Sequence, residues 1–201
     1  MEIEFKFEVD DFTRLPDWTT VPGVVEVGDA EVRDLDAQYL DTDDWTLAHA
    51  GYALRRRTGG PDAGWHLKGP REGHGRSEEQ WPLTDGMEIP PAVRARIDEI
   101  TDGELKPLAR IRNTRTAYAL RTATGELLAE FADDHVTTRD ERLGTERSWR
   151  EWEVELGPGT PTGPRDLQTF AAIVAGIQAA VRTVGGKPST ANSKLARALG
   201  F

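Results

Sequence analysis

Met1-Glu2-Ile3-Glu4-Phe5-Lys6-Phe7-Glu8-Val9 opens the chain with strict alternation of apolar and charged residues. A strand repeats every two residues, so Ile3, Phe5, Phe7 and Val9 share one face while Glu2, Glu4, Lys6 and Glu8 share the other. At a rise of about 3.3 Å per residue, neighbouring carboxylates on that face lie about 6.6 Å apart, within reach of one metal centre directly or through water. A single strand of this kind is ordinarily a solvated sheet face. Its recurrence along the chain gives it meaning.

Eight segments carry strand character: 2–9, 33–41, 51–58, 64–69, 75–83, 108–121, 125–138 and 146–156. Clusters such as Gly59-Gly60-Pro61-Asp62 and Ala123-Thr124-Gly125 divide several of them as hairpin turns do. A helix is predicted after Pro90-Pro91 through Val93, Ile97 and Ile100, with proline in its opening turn. A longer one follows Gly163-Pro164, where Leu167, Phe170, Ala171, Val174, Ile177 and Val181 recur at helical spacing, as expected of a helix packed on a sheet. A short terminal helix, Lys194 to Leu199, has Asn192 or Ser193 as its cap. The order is α+β: strands with helices inserted, read as one domain over 1–201.

The chain has 201 residues, enough to bury a sizeable core. It has no cysteine, which excludes disulfides, thiolate nucleophiles and cysteine-held metals. No apolar run is long enough to span a membrane, and a glutamate at position 2 does not suit a signal peptide. A cytoplasmic protein without a membrane partner is the expectation. The net charge of −10 argues against a duplex nucleic acid as partner. A small polyanion is still admissible where basic residues converge and divalent cations bridge the rest.

The faces can be assigned strand by strand. Arg55 and Arg57 oppose Leu54, whereas Arg56 sits with it. His66 and Lys68 oppose Trp65 and Leu67, and Arg76, Glu78 and Gln80 oppose Trp81 and Leu83. Glu130, Ala132 and Asp134 oppose Phe131; Glu151, Glu153 and Glu155 oppose Trp152, Val154 and Leu156. Arg110 and Arg112 share one parity and Arg115 takes the other, so a bulge near Asn113 is needed to turn all three inward. Carboxylates concentrate on the first, seventh and eighth strands, and cations on the third, fourth and sixth. Closed into a barrel, these strands enclose a lumen with an acidic and a basic wall. Such a lumen suits a multiply charged anion with bound metal.

Taken in order, these motifs resemble the CYTH family, the triphosphate tunnel metalloenzymes. The carriers are Glu2-x-Glu4-x-Lys6, Tyr39-Leu40-Asp41-Thr42, Ala53-Leu54-Arg55-Arg56-Arg57, Trp65-His66-Leu67-Lys68 and Arg76-Ser77-Glu78. They continue through Arg115, Ala129-Glu130-Phe131-Ala132-Asp133-Asp134, Glu151-x-Glu153-x-Glu155 and Ser193-Lys194-Leu195. The resemblance implies an eight-stranded antiparallel β-barrel with flanking helices, a tunnel that binds triphosphate with one or two Mg²⁺ or Mn²⁺ ions. Members of the family hydrolyse inorganic triphosphate, thiamine triphosphate or nucleoside triphosphates, and a few make cyclic AMP. The ending Ser193 to Gly200 is similar to the CYTH half of proteins that continue into a CHAD domain, which implies such a neighbour in a longer parent chain and polyphosphate as a further partner.

The expected activity is metal-dependent hydrolysis of inorganic triphosphate to pyrophosphate and phosphate. Phosphoryl transfer leaves a protein mainly positioning and charge neutralisation to perform. Lys6, Arg55, Arg57, Lys68, Arg115 and Lys194 are assigned to phosphate oxygens, with Arg76 and Arg112 behind them; guanidinium adds forked donors. Glu2, Glu4, Asp134, Glu153 and Glu155, followed by Glu130 and Glu151, are the metal and water-handling carboxylates. Glu2, Glu4, Lys6, Glu153 and Glu155 form the expected catalytic group. The alternatives are a non-catalytic polyphosphate or nucleotide sensor, an adenylate cyclase and a thiamine triphosphatase. There is no HExxH, GxGxxG, GxxxxGK or GxSxG pattern. His49, His74 and His135 read as surface or loop residues, His66 as a spacer beside Lys68, and the tryptophans as packing. Tyr39 and Asp41 flank a strand end, where a turn role and support for the site are both open.

Overall fold

The computed structural model describes residues 3–72, 75–163, 165–191 and 193–201, the side chains of 71, 72, 75 and 76 excepted. Its elements are β1 (Glu4–Glu8), a 3-10 turn (Trp18–Thr20), β2 (Glu26–Val27), β3 (Glu31–Asp41), α1 (Thr46–His49), β4 (Ala53–Thr58), β5 (Gly64–Glu72) and β6 (Gly75–Pro82). They continue with α2 (Pro91–Asp98), β7 (Lys106–Arg121), β8 (Leu127–Asp140), β9 (Glu146–Leu156), α3 (Leu167–Thr183), β10 (Lys187–Pro188) and α4 (Lys194–Leu199). The eight long strands are those the alternation predicts. The two-residue β2 and β10, α1 and the 3-10 turn are additions that local periodicity is too short to reveal.

All ladders are antiparallel, in the order β10-β1-β9-β8-β7-β3-β4-β5-β6, with β2 on the edge of β7. Among the described residues no ladder joins β6 to β1 or β10, so the tunnel is a strongly wrapped sheet with an unpaired seam. Opposite walls still face each other: the Glu153 charge on β9 acts on the Arg55 guanidinium of β4.

Three apolar clusters hold this shape. Outside β1, β8 and β9, α3 packs Ile173, Ile177, Ala180 and Val181 against Phe7, Phe131, Trp152 and Val154, with Trp18 and Leu120 in the same cluster. Outside β3 to β5, Leu47 of α1 and Val93 and Ile97 of α2 cover Leu40, Leu54, Trp65 and Leu67. The third cluster is inside the lumen, where Leu195 and Ala198 of α4 meet Ile111, Val136, Tyr39 and Trp149. The terminal helix therefore stops one end of the tunnel. Ser193 Oγ caps it by accepting the Ala196 N–H at 3.0 Å, and Gly200 closes it in the left-handed region at φ 89.

Asp41 is settled as a turn residue. Its buried carboxylate accepts the N–H groups of Thr42, Leu47 and Ala48 at 2.7, 2.9 and 3.0 Å, which fixes the start of α1. β7 runs in register with β3 and β8 through Asn113, and its irregularities fall elsewhere, opposite Tyr39/Leu40 and at Leu120/Arg121. There is no bulge near Asn113. Arg112 therefore points outward, its side chain 64% exposed and 3.6 Å from Asp36, and Arg110 pairs with the same carboxylate. Only Arg115 of the three faces the lumen.

Candidate functional site

The cross-strand register stacks acidic residues on one wall. Glu4, Glu155 and Glu130 lie side by side on β1, β9 and β8; Lys6 and Glu153 make the next row, and Glu8, Glu151 and Asp134 the one below. The lower rows are deeply buried: Asp134 is 0%, Glu151 3% and Glu153 8% exposed. One carboxylate oxygen from each of Asp134, Glu151 and Glu153 lies within 4.8 Å of the other two, a spacing that can hold a cation.

Buried carboxylates cost several kcal/mol each unless paired, and cations converge on these from three elements. Lys194, the first residue of α4, places Nζ 2.8 Å from Asp134 Oδ2, 2.6 Å from Glu151 Oε1 and 2.6 Å from Glu153 Oε1. Arg115 on β7 forks onto Asp134 at 2.8 and 2.7 Å and also touches Glu153. Lys6 touches Glu153 and reaches Glu4 at 3.2 Å. A cation at a helix N-terminus opposes the helix dipole, so Lys194 is held there by the carboxylates. Burial alone would raise the Glu153 carboxyl; Lys194, Lys6 and Arg115 outweigh it and hold it well below the ordinary range. Burial likewise opposes the Lys194 ammonium, and Asp134, Glu153 and Glu151 raise it above its usual value.

The basic wall is built differently. Arg55 and Arg57 project inward from β4, and Lys68 and His66 from β5. Arg55 donates to the Tyr39 hydroxyl and to Glu78, at 3.4 and 3.3 Å. Lys68 Nζ lies 3.0 Å from Glu78 Oε2. Asp62, in the loop between β4 and β5, contacts Arg57. The Nε atoms of Arg55 and Arg57 are buried without a hydrogen-bond partner. Burial pushes the Arg57 guanidinium down to about 10, and the neighbouring charges of Arg55 and Arg115 add to that push. An under-satisfied cation of this kind is stabilised when an anion enters.

Between the walls and away from α4 lies a cavity of about 310 Å³. Its polar lining is Arg33, Arg57, Asp62, Arg115, Glu130 and Glu155, with Leu35, Leu127 and Leu156 among its apolar residues. The structure thus brings together Glu4, Lys6, Arg55, Arg57, Lys68, Arg115, Glu130, Asp134, Glu151, Glu153, Glu155 and Lys194. It leaves Arg112 outside, whereas Glu2 and the Arg76 side chain lie beyond the described residues. His74 and Asn192 lie beyond them as well.

Two lumen residues carry more than the sequence reading gave them. Arg33, the register partner of Arg115, forks onto Glu130 at 2.9 and 3.1 Å. Its inward parity with Leu35 and Ala37 was the available signal. His66 is not a spacer, because it bonds Glu78 and the Asp62 carbonyl. Its parity with Lys68 pointed inward, but a partner on the neighbouring strand β6 is not visible in local spacing.

A model of the CYTH domain family matches residues 1–172. The chain is 36% identical over 212 aligned residues to uncharacterized proteins of Mycobacterium tuberculosis strains CDC 1551 and H37Rv; the match covers 100% of this chain and 40% of theirs. A candidate adenylate cyclase from Bacillus halodurans has the same fold, with TM-score 0.61, 19% identity and coverage of 98% of this chain and 96% of that one. A protein from Pyrococcus horikoshii gives TM-score 0.57, 18% identity and coverage of 99% and 98%. A Hippeastrum protein named for adenylyl cyclase, and described as having a dominant triphosphatase activity, gives 0.52, 21%, and 98% and 94%. With a wrapped antiparallel sheet, two opposed charged walls and a family match over most of its length, the chain belongs to the CYTH domain family.

Proposed function

We propose that this chain hydrolyses triphosphate in a metal-dependent reaction, with inorganic triphosphate as the preferred substrate and pyrophosphate and phosphate as products. The observation that carries the reading is the facing of two walls: a buried trio of carboxylates opposite arginines with unpaired, buried Nε donors. Family membership and the triphosphatase activity of the Hippeastrum neighbour support it. Asp134, Glu151 and Glu153 offer hard oxygen donors, the ligand chemistry of Mg²⁺ or Mn²⁺. A bound divalent ion there would neutralise charge on the phosphate oxygens.

The protein's own residues do the rest. Arg55, Arg57, Lys68 and Arg115 grip the non-bridging oxygens and align the phosphoanhydride, with Lys6 and Lys194 supplying further charge from the acidic wall. Glu4 and Glu155, the more exposed of the carboxylates, orient the water that adds across the terminal P–O–P bond and take its proton. The charge on both walls, Glu4 and Lys6 facing Arg55, Arg57 and Lys68, suits a compact polyanion. The residues form one domain over 1–201 in this reading, and its setting is cytoplasmic. Because the chain spans about 40% of the length of its mycobacterial relatives, a CHAD neighbour and polyphosphate as a partner belong to the longer protein in this proposal.

The test is release of phosphate from inorganic triphosphate, thiamine triphosphate and ATP, with Mg²⁺, with Mn²⁺ and with chelator. Activity that persists in chelator removes the metal dependence, and higher kcat/KM on ATP or thiamine triphosphate removes the substrate preference. Cyclic AMP as the main product from ATP moves the chain to the cyclase reading.

A further inference from the structure

His66 sits in the middle of the basic wall and bonds none of its cations. It is 2% exposed and lies in register between Arg55 on β4 and Gln80 on β6. Its Nδ1 is 2.8 Å from Glu78 Oε1 and its Nε2 2.9 Å from the backbone carbonyl of Asp62. Glu78 is the carboxylate that also holds Arg55 and Lys68, at 3.3 and 3.0 Å. Asp62 carries the carboxylate that contacts Arg57. One imidazole thus links the counter-ions of all three cations.

Its two partners favour a doubly protonated ring. A backbone carbonyl only accepts a hydrogen bond, and so does an ionised carboxylate. Nε2 needs a hydrogen to bond Asp62, and Nδ1 needs one to bond Glu78. A neutral ring has a single N–H and would aim a lone pair at one of those oxygens. We infer that His66 is a positioning residue of the phosphate-binding wall, an imidazolium that clamps Glu78 and the Asp62 loop and so sets Arg55, Arg57 and Lys68 for the substrate. The inference rests on the triphosphatase reading given above.

The clamp is sensitive to pH. The groups facing the ring are Glu78 and Gln80 on β6, Arg55 and Arg57 on β4, the Asp62 loop and Lys68 on its own strand, with the Tyr39 hydroxyl behind Arg55. Burial pushes the imidazolium down from its ordinary value, and the Arg55 and Arg57 charges add to this, while the Glu78 bond and charge oppose it. The direction is downward, so the clamp is complete on the acid side and is lost as pH rises through the ring's own pKa. Glu78 then has one donor fewer and competes with substrate for Arg55 and Lys68. Triphosphate affinity should fall accordingly.

The experiment uses the full chain without metal or substrate. ¹⁵N spectra of its histidines near about pH 5 should show both His66 nitrogens protonated, titrating below the ordinary value of about 6.5. In parallel, calorimetry measures inorganic triphosphate binding in metal-free buffer, where no turnover is expected, from about pH 5 to about pH 8 for wild type, His66→Asn and His66→Ala. Asparagine keeps a donor where Nδ1 stands and cannot titrate. His66→Asn, which keeps the bond to Glu78 and gives up the one to Asp62, should bind between His66→Ala and wild type at acid pH, and the wild-type to His66→Asn affinity ratio, in which the ligand's own protonation cancels, should fall as pH rises. His66→Ala should bind on the order of tenfold more weakly at acid pH, the loss expected for a charge-assisted hydrogen bond. A neutral single tautomer near about pH 5, or a flat ratio across the range, overturns the clamp. If no form binds triphosphate at any pH, the functional reading falls, and the nitrogen spectrum of wild type alone decides whether the imidazolium stands.

Discussion

The two walls of this tunnel solve the same electrostatic problem in opposite ways. On the acidic side, the carboxylates of Asp134, Glu151 and Glu153 are matched by Lys194, Arg115 and Lys6, drawn from α4, β7 and β1. On the basic side, Arg55, Arg57 and Lys68 share Glu78 and a loop aspartate, and two guanidinium Nε atoms stay unpaired. The first wall is satisfied from within and ties three elements together. The second keeps donors in reserve. Stability should therefore be concentrated in the acidic wall and ligand affinity in the basic one, a separation of the kind expected where function costs stability.

The sharpest way to break this contrast is Glu153→Gln. Glu153 is shared by Lys6, Arg115 and Lys194, so neutralising it leaves buried cations short of a partner. Removing one member of such a network costs about 3 kcal/mol or more, and loss of a charge aimed at the reacting groups costs about a hundredfold or more in kcat. Denaturant titration and phosphate release check the two halves. Wild-type stability in this variant would show that the acidic wall is not what holds the fold.

Lys194→Met probes the same wall from the cation side. Its ammonium stands where a divalent ion would meet the carboxylate trio. Without it the metal-free protein should lose stability, and the trio, freed of a competing positive charge, should bind Mn²⁺ more tightly, by roughly tenfold or more. Calorimetry with Mn²⁺ and no substrate reads this directly. An unchanged or weaker affinity would place the metal away from the trio, nearer Glu4 and Glu155.

Arg57→Met tests the opposite wall, and its two effects should have opposite signs. A buried guanidinium pushed down to about 10 is held charged at a cost at neutral pH, since the folded state binds its proton less tightly than the unfolded chain does. Methionine removes that cost and fills similar volume. Stability should hold or rise by about 1 kcal/mol, while triphosphate affinity falls on the order of tenfold. A loss of stability like that of Glu153→Gln would erase the difference between the walls.

The same contrast explains what was legible in the sequence. Period-two alternation located every long strand and most lumen residues, because outward positions on β1, β4, β5, β8 and β9 are apolar where α1, α2 and α3 cover them. The rule fails where the lumen itself turns apolar. On β7, Ile111 faces inward to α4 while Leu120 faces outward in the α3 cluster, so apolar parity switches sides within one strand. Parity alone sets Arg110 and Arg112 against Arg115, so joining all three on one wall called for a bulge near Asn113, and β7 has none there. Glu78 was placed on the right face without its role, since its partners lie on β4 and β5. Arg33 was missed for the same reason: its meaning comes from Glu130, far away in sequence.

Arg112→Ala is the smallest expected effect and the control for the whole contrast. Arg112 is a basic residue flanked in sequence by lumen residues, and a reading by composition alone would place it on the basic wall. In the structure its side chain is 64% exposed on the outer face, 3.6 Å from Asp36, a carboxylate that Arg110 also holds at 2.6 Å. Exposed ion pairs contribute about 0–1 kcal/mol, so stability should move by no more than about 0.5 kcal/mol. The charge is separated from the lumen by the sheet and screened by solvent over roughly 8–10 Å, so kcat/KM for triphosphate should stay within about twofold of wild type. Arg115→Ala, three residues on and inward, should by comparison cost activity and stability together, because its guanidinium forks onto Asp134 and touches Glu153. Equal losses from the two substitutions would mean that β7 presents its other face to the substrate, and the assignment of walls would have to be redrawn from that strand outward.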